Sequence, residues 1–124
     1  MRDIKFRACD SLEGKMYSWT ELLNQNLKNI FTIPEQCGYN IMQYTGLKDK
    51  NRKEIYEGDI VKIKHEFDNT EYICEIIYVD GAFRTKKFIF GSYYDCLYYW
   101  YANDCEIEII GNIYDNPELL EEGK

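Results

Sequence analysis

Residues 72–79, YICEIIYV, form a run of β-branched and aromatic side chains broken only by Cys74 and Glu75. Asp80-Gly81 follows, and residues 82–90 resume as a second extended run. Asp-Gly between two such runs marks a two-residue hairpin, because its turn needs positive φ, which these residues accept. A chain with this hairpin at its centre is built on an antiparallel sheet.

The flanking sequence extends that pattern. Ile4 to Ala8 alternates apolar and basic residues, DSLEGK (10–15) turns the chain, and Met16 to Trp19 returns, which predicts an N-terminal hairpin. Residues 39–45 and Ile60 to Lys64 read as further strands, the latter delivered by the turn Glu57-Gly58-Asp59. Residues 105–114 read as the closing strand, with a bulge at Gly111-Asn112. Helix is minor. Thr20 is a candidate N-cap for a stripe of Leu23, Leu27, Ile30 and Phe31 that Pro34 would stop. Asn116 and Pro117 predict a short helical turn through Leu120. For residues 93–101, strand and short helix both fit.

The fold class is therefore mainly β with minor α. The expected form is a small, strongly bent SH3-like barrel or a curled antiparallel sheet over residues 41–120, with residues 1–40 as a hairpin-and-helix extension. At 124 residues the chain suits one domain with one core. That core should include Phe6, Tyr44, Ile55, Val61, Ile63, Ile76, Phe83, Ile107 and Ile109.

Charge is unevenly distributed. Residues 1–94 balance fourteen basic against fourteen acidic side chains, whereas residues 95–124 set eight acidic residues against Lys124, so the whole excess of −7 lies there. An acidic segment repels nucleic acid, whose binding needs clustered Lys and Arg. No apolar run approaches a membrane span, and the N-terminus lacks an apolar signal core, which predicts a cytoplasmic protein in a bacterial host. The five cysteines are odd in number and contain no C-x-x-C. They read as free, mostly buried thiols rather than disulfides or zinc ligands.

One loop invites a functional reading. In YTGLKDKNRKEIYEGDIVKI (44–63), Gly46, Asp49, Asn51, Gly58 and Asp59 read as turn formers that set the register between strands. Asn51 tolerates the left-handed region, whereas Arg52 is less comfortable there than glycine. Lys48, Lys50, Arg52, Lys53, Lys62 and Lys64 form a candidate nucleic-acid face, interrupted by acidic residues. Gly46 and Gly58 stand too far apart for a phosphate-cradling loop. His65, the sole histidine, reads as an exposed polar residue at a strand end. These residues assemble no catalytic set, metal site or cofactor site, so the expectation is a protein that is not an enzyme and carries no cofactor.

Three segments together resemble a known family. IMQYTGLKDKNRKEIYEGDIVKI (41–63) is similar to the hallmark segment of the YopX family, IKFRACD (4–10) to its opening strand, and EIIGNIYDNPELL (108–120) to its C-terminal signature. Cys9 stands where the family commonly has tryptophan, and Arg52 where it favours glycine. The resemblance covers about a third of the chain. It implies a β-rich fold and a phage or prophage setting, and it implies no reaction.

Residues 93–101, YYDCLYYWY, hold six aromatic rings. Tyr93, Tyr94, Tyr98, Tyr99, Trp100 and Tyr101 are thus a candidate interface, because Tyr and Trp dominate protein contacts. The favoured reading is an accessory protein that acts through protein contacts, with self-association included. Weak association with nucleic acid through the Lys/Arg face, and acidic mimicry by residues 95–122, are the alternatives.

Overall fold

A computed structural model describes residues 3–25, 38–65, 69–79, 81–89, 92–97 and 105–122, with the backbone alone for 87–89, 92–96 and 121–122. The helical stripe beyond Leu23 and the rings of Tyr98, Tyr99, Trp100 and Tyr101 lie outside the described residues.

The mainly-β expectation holds. β1 (Phe6–Asp10), β2 (Lys15–Tyr17), β3 (Tyr39–Lys48) and β4 (Glu54–Tyr56) form a sheet in the order β2-β1-β3-β4. β5 (Asp59–Lys64), β6 (Glu71–Val79), β7 (Ala82–Ile89), β8 (Ser92–Cys96) and β9 (Glu106–Asn112) form a second, in the order β8-β7-β6-β5-β9. Every pairing is antiparallel. The N-terminal sheet curls as a half-barrel. Neither strand order returns on itself among the described residues.

Local chemistry accounts for most boundaries. Val79 pairs with Ala82 across the two-residue turn at Gly81, whose φ is +79°. The helix begins earlier than the sequence suggested. α1 (Trp19–Leu22) is capped by Ser18 rather than Thr20. Ser18 Oγ accepts from the Glu21 N–H at 3.2 Å, and Glu21 Oε1 accepts from the Ser18 N–H at 3.1 Å, a reciprocal capping box. The earlier start buries Leu22 completely and leaves Leu23 exposed. The C-terminal turn becomes α2 (Glu118–Glu122).

The closing bulge is also displaced by a residue. β5 pairs Ile60 with Gly111 and Val61 with Ile109, so the extra residue is Ile110. Gly111 serves a different purpose: a Cβ there would lie 2.5 Å from Asn116 Oδ1. The side chain of Asn116 occupies that space and accepts from the Asn112 N–H at 3.3 Å.

Among the described residues the buried apolar side chains fall into two clusters. The larger joins Ile55, Val61, Ile63, Cys74, Ile76, Leu97 and Ile107. The smaller lies between β1 and α1, with Ala8 and Leu22 fully buried beneath Phe6, Tyr17, Trp19, Tyr39 and Ile41. Of the nine expected core residues, Tyr44, Ile55, Val61, Ile63, Ile76 and Ile107 are buried, and Phe6, Phe83 and Ile109 are half-buried. The larger cluster sets Ile55 of β4 and Leu47 of β3 against the second sheet, whereas the smaller lies within the N-terminal sheet and α1, and the chain between the sheets carries polar contacts.

Candidate functional site

Those polar contacts begin at Arg7. Its guanidinium donates to Asp59 Oδ1 at 2.8 Å and to the Glu57 carbonyl at 3.3 Å, and lies 4.9 Å from the centre of the Tyr56 ring. Asp59 is 2% exposed, and its other oxygen accepts from the Tyr56 N–H at 2.8 Å. Burial raises the Asp59 carboxyl above its ordinary pKa despite the opposing pull of Arg7. Burial, helped by Glu54, pushes the Tyr56 phenol up to about 12. Lys5 donates to Glu54 at 2.6 Å beside this group. Arg7 Nε is buried without a hydrogen-bond partner among the described residues. The set therefore fastens β1 to the turn that opens β5. Asp59, read from the sequence as a turn former, is half of a buried ion pair with a residue 52 positions away.

The 49–53 loop is organised around Asp49, which is buried. Its Oδ1 accepts from the N–H groups of Asn51 and Lys53 at 2.8 and 2.9 Å. Its Oδ2 accepts from the Ile109 N–H at 3.0 Å. The Lys50 N–H then donates to the Ile107 carbonyl at 2.8 Å. One carboxylate thus closes the loop on itself and fastens it to the outer edge of β9. Arg52, not Asn51, takes the left-handed conformation, with φ +67°. Gly46 and Gly58 have φ of +89° and +85°.

The candidate basic face does not form one patch. Lys48, Arg52 and Lys53 are exposed on β3 and the loop. Lys50, Lys62 and Lys64 instead line a groove together with Glu71, Glu106 and Glu108. The strand register explains this. Lys62 stands opposite Glu108 and Lys64 opposite Glu106, while Lys64 also faces Glu71 across β6. Lys50 Nζ lies 3.7 Å from Glu108 and 3.9 Å from Glu106. Signs therefore alternate across the loop, β9, β5 and β6. Part of the acidic excess of the last quarter of the chain is interleaved with the lysines of its middle. The sequence counted these groups as two separate patches because forty or more residues divide them.

Other candidates are placed as follows. Tyr93 and Tyr94 lie on β8, where only the backbone is described. His65, the residue after β5, is half-buried rather than exposed; its N–H donates to the Thr70 carbonyl and its carbonyl accepts from the Asn69 N–H. Cys9, Cys74 and Cys105 are not disulfide-bonded, and the first two are buried. Among the described residues no His, Cys, Asp and Glu cluster has metal-binding geometry, and no helix is long and apolar enough to cross a membrane.

Comparison with known proteins gives a consistent answer. The sequence model of the family described as YopX protein matches residues 5–121. The chain is 36% identical over 100 residues to the SPbeta prophage-derived uncharacterized protein YopX of Bacillus subtilis, covering 77% of this chain and 74% of that one. The crystal structure of protein EF1440 from Enterococcus faecalis is similar over 97% of this chain and 99% of its own, with a TM-score of 0.63 and 28% identity. The crystal structure of yopX from Bacillus subtilis shares the fold at a TM-score of 0.62 and 20% identity, over 96% of this chain and 98% of its own.

Proposed function

This chain belongs to the YopX family, and on that premise we propose that it is a prophage-borne accessory protein that binds other proteins in the host cytoplasm and catalyses no reaction. The observation that carries this reading is the groove in which Lys50, Lys62 and Lys64 alternate with Glu71, Glu106 and Glu108. A nucleic-acid backbone offers charge of one sign, so the three carboxylates would oppose it. A protein surface offers both signs in fixed positions, and matching such a pattern confers specificity. The chemistry of the buried acids supports the same reading. Asp49 accepts three backbone N–H groups, and Asp59 accepts one N–H and Arg7, so both are committed to holding strands together.

The test compares wild type with Lys62→Glu/Lys64→Glu in affinity capture from host cells. The expected result is a partner held by wild type and lost by a variant whose thermal melt shows it folded. Mobility shifts on short DNA and RNA at low salt run alongside. Nucleic-acid binding that depends on Lys62 and Lys64, with no protein partner, would overturn the proposal.

A further inference from the structure

The register of the second sheet stacks its inward side chains in rows across β9, β5 and β6. Ile109, Val61 and Cys74 form one row, and Ile107, Ile63 and Tyr72 the next. Both rows belong to the larger apolar cluster or pack against it. Carried one step further, the alternation of strand side chains sets Cys105, His65 and Thr70 in a third row on the same face. Cys105 packs against the cluster, and all three residues of this polar row are half-buried. The backbone fixes how closely two of them stand. Ile107 and Ile109 turn backbone groups outward, to Lys50 and Asp49. His65 turns its own towards Thr70 and Asn69. Hydrogen bonding alternates along an antiparallel ladder, so Ile63–Ile107 and His65–Cys105 are both non-hydrogen-bonded pairs. Such pairs bring opposing Cα atoms to about 4.5 Å, the closest approach a ladder offers.

We propose that Cys105 and His65 form a reactive thiol–imidazole pair, a site at which low-molecular-weight disulfides modify the chain. Cross-strand neighbours on one face hold their Cβ atoms about 4.5–5.5 Å apart, which lets the imidazole reach the thiol. Cys105 is also partly exposed, whereas Cys9 and Cys74 are buried. The thiol gives its proton to His65, and the Sγ thiolate attacks one sulfur of the disulfide. A new S–S bond forms as the original one breaks, and the expelled thiolate recovers the proton from His65. One thiol and one disulfide thus become a mixed disulfide and one free thiol, with the incoming disulfide as the only oxidant. Tyr72 is the titratable neighbour in the adjacent row, while Lys64, Glu71 and Glu106 leave the opposite face. The chemistry therefore needs none of the charged residues that carry the protein-binding reading.

The probe is dithionitrobenzoate, an aromatic disulfide, added to the full chain at pH 7 and at pH 5.5. Mass spectrometry of the peptide that holds Cys105 follows the adduct at that residue alone, whatever the other cysteines do. An ordinary thiol loses its thiolate as pH falls below about 8.5, whereas one beside an imidazolium keeps it to lower pH. The less basic thiolate is a weaker nucleophile, which offsets part of the gain. The wild-type rate divided by that of His65→Gln should therefore rise about threefold from pH 7 to pH 5.5. A change in access to the thiol would alter this ratio equally at both pH values. Should His65→Gln fail to fold, the ratio of folded wild type to wild type in urea takes its place, and the same rise is expected. A ratio that stays constant between the two pH values would overturn the proposal, and so would a folded chain in which Cys105 remains unmodified.

Discussion

Replacing Arg7 by methionine tests the polar joint between the two sheets. The substitution keeps an unbranched apolar stem and removes the charge that faces Asp59 at 2.8 Å. Removing one partner of a buried ion pair costs about 3–5 kcal/mol, because the other charge stays in the interior unopposed. Asp59 is 2% exposed but keeps the Tyr56 N–H on its second oxygen, so the lower end, about 3 kcal/mol at pH 7, is expected. The loss should depend on pH. Asp59 in the folded chain already titrates above its ordinary value. Between the unfolded and folded pKa values the folded state binds more protons, so stability falls as pH rises through that interval. Without Arg7 the folded pKa climbs and the interval widens upward. The deficit of the variant should therefore shrink as pH is lowered from 7 towards 4, by up to about 1.4 kcal/mol per unit. Arg7→Met/Asp59→Asn should recover much of the loss at pH 7, since the amide oxygen still accepts from Tyr56 and the orphaned Arg7 Nε is gone. Urea unfolding of wild type, both single variants and the double variant at pH 7 and 5 measures each quantity. A deficit under about 1 kcal/mol at pH 7, or one that is the same at both pH values, would refute the reasoning.

Arg52→Gly should raise stability by about 1 kcal/mol, because φ of +67° costs any residue with a Cβ; a melting temperature that is unchanged or lower counts against this. Gly111→Ala should cost about 1–3 kcal/mol by overpacking, since its methyl would sit 2.5 Å from Asn116 Oδ1. Adding Asn116→Gly should recover part of that loss, and denaturant midpoints of the pair decide it. Ser18→Ala should remove about 1 kcal/mol of capping, read as faster amide exchange at Glu21. Hydrogen bonding from the Ser18 N–H holds the Glu21 carboxyl below its ordinary pKa. Its share of the cap is therefore present at neutral pH and lost as pH falls through that lowered value, visible as faster exchange of the Ser18 amide in acid.

The strands were legible because their signals are local. Val79 and Ala82 pair across Asp80-Gly81 because that dipeptide suits the turn, and Val61, Ile63 and Ile76 are buried because alternation assigns them to one face. Where two local signals competed, the reading slipped by one or two residues. Ser18 and Thr20 are both acceptable caps, and the choice fell to the residue with Glu21 three positions on. The bulge residue is Ile110 rather than Gly111 because the fit against Asn116, a contact made by a later turn, decides where glycine is needed.

The amino-acid sequence by itself determined the antiparallel β class, most strand faces and the family, since periodicity, turn dipeptides and motif order are properties of the linear chain. It also showed that Asp49 and Asp59 stand at turns. Only the tertiary structure decided what those two carboxylates hold. Asp59 meets Arg7 across the joint between the sheets, and Asp49 reaches Ile109, 60 residues away. Likewise the sequence displayed a basic middle and an acidic end, and the register of β5 against β9 merged them into one alternating surface. The physical reason is the same in each case: a hydrogen bond or ion pair depends on separation in space to within an ångström or so, and neither pattern nor composition encodes that distance between residues so far apart in the chain.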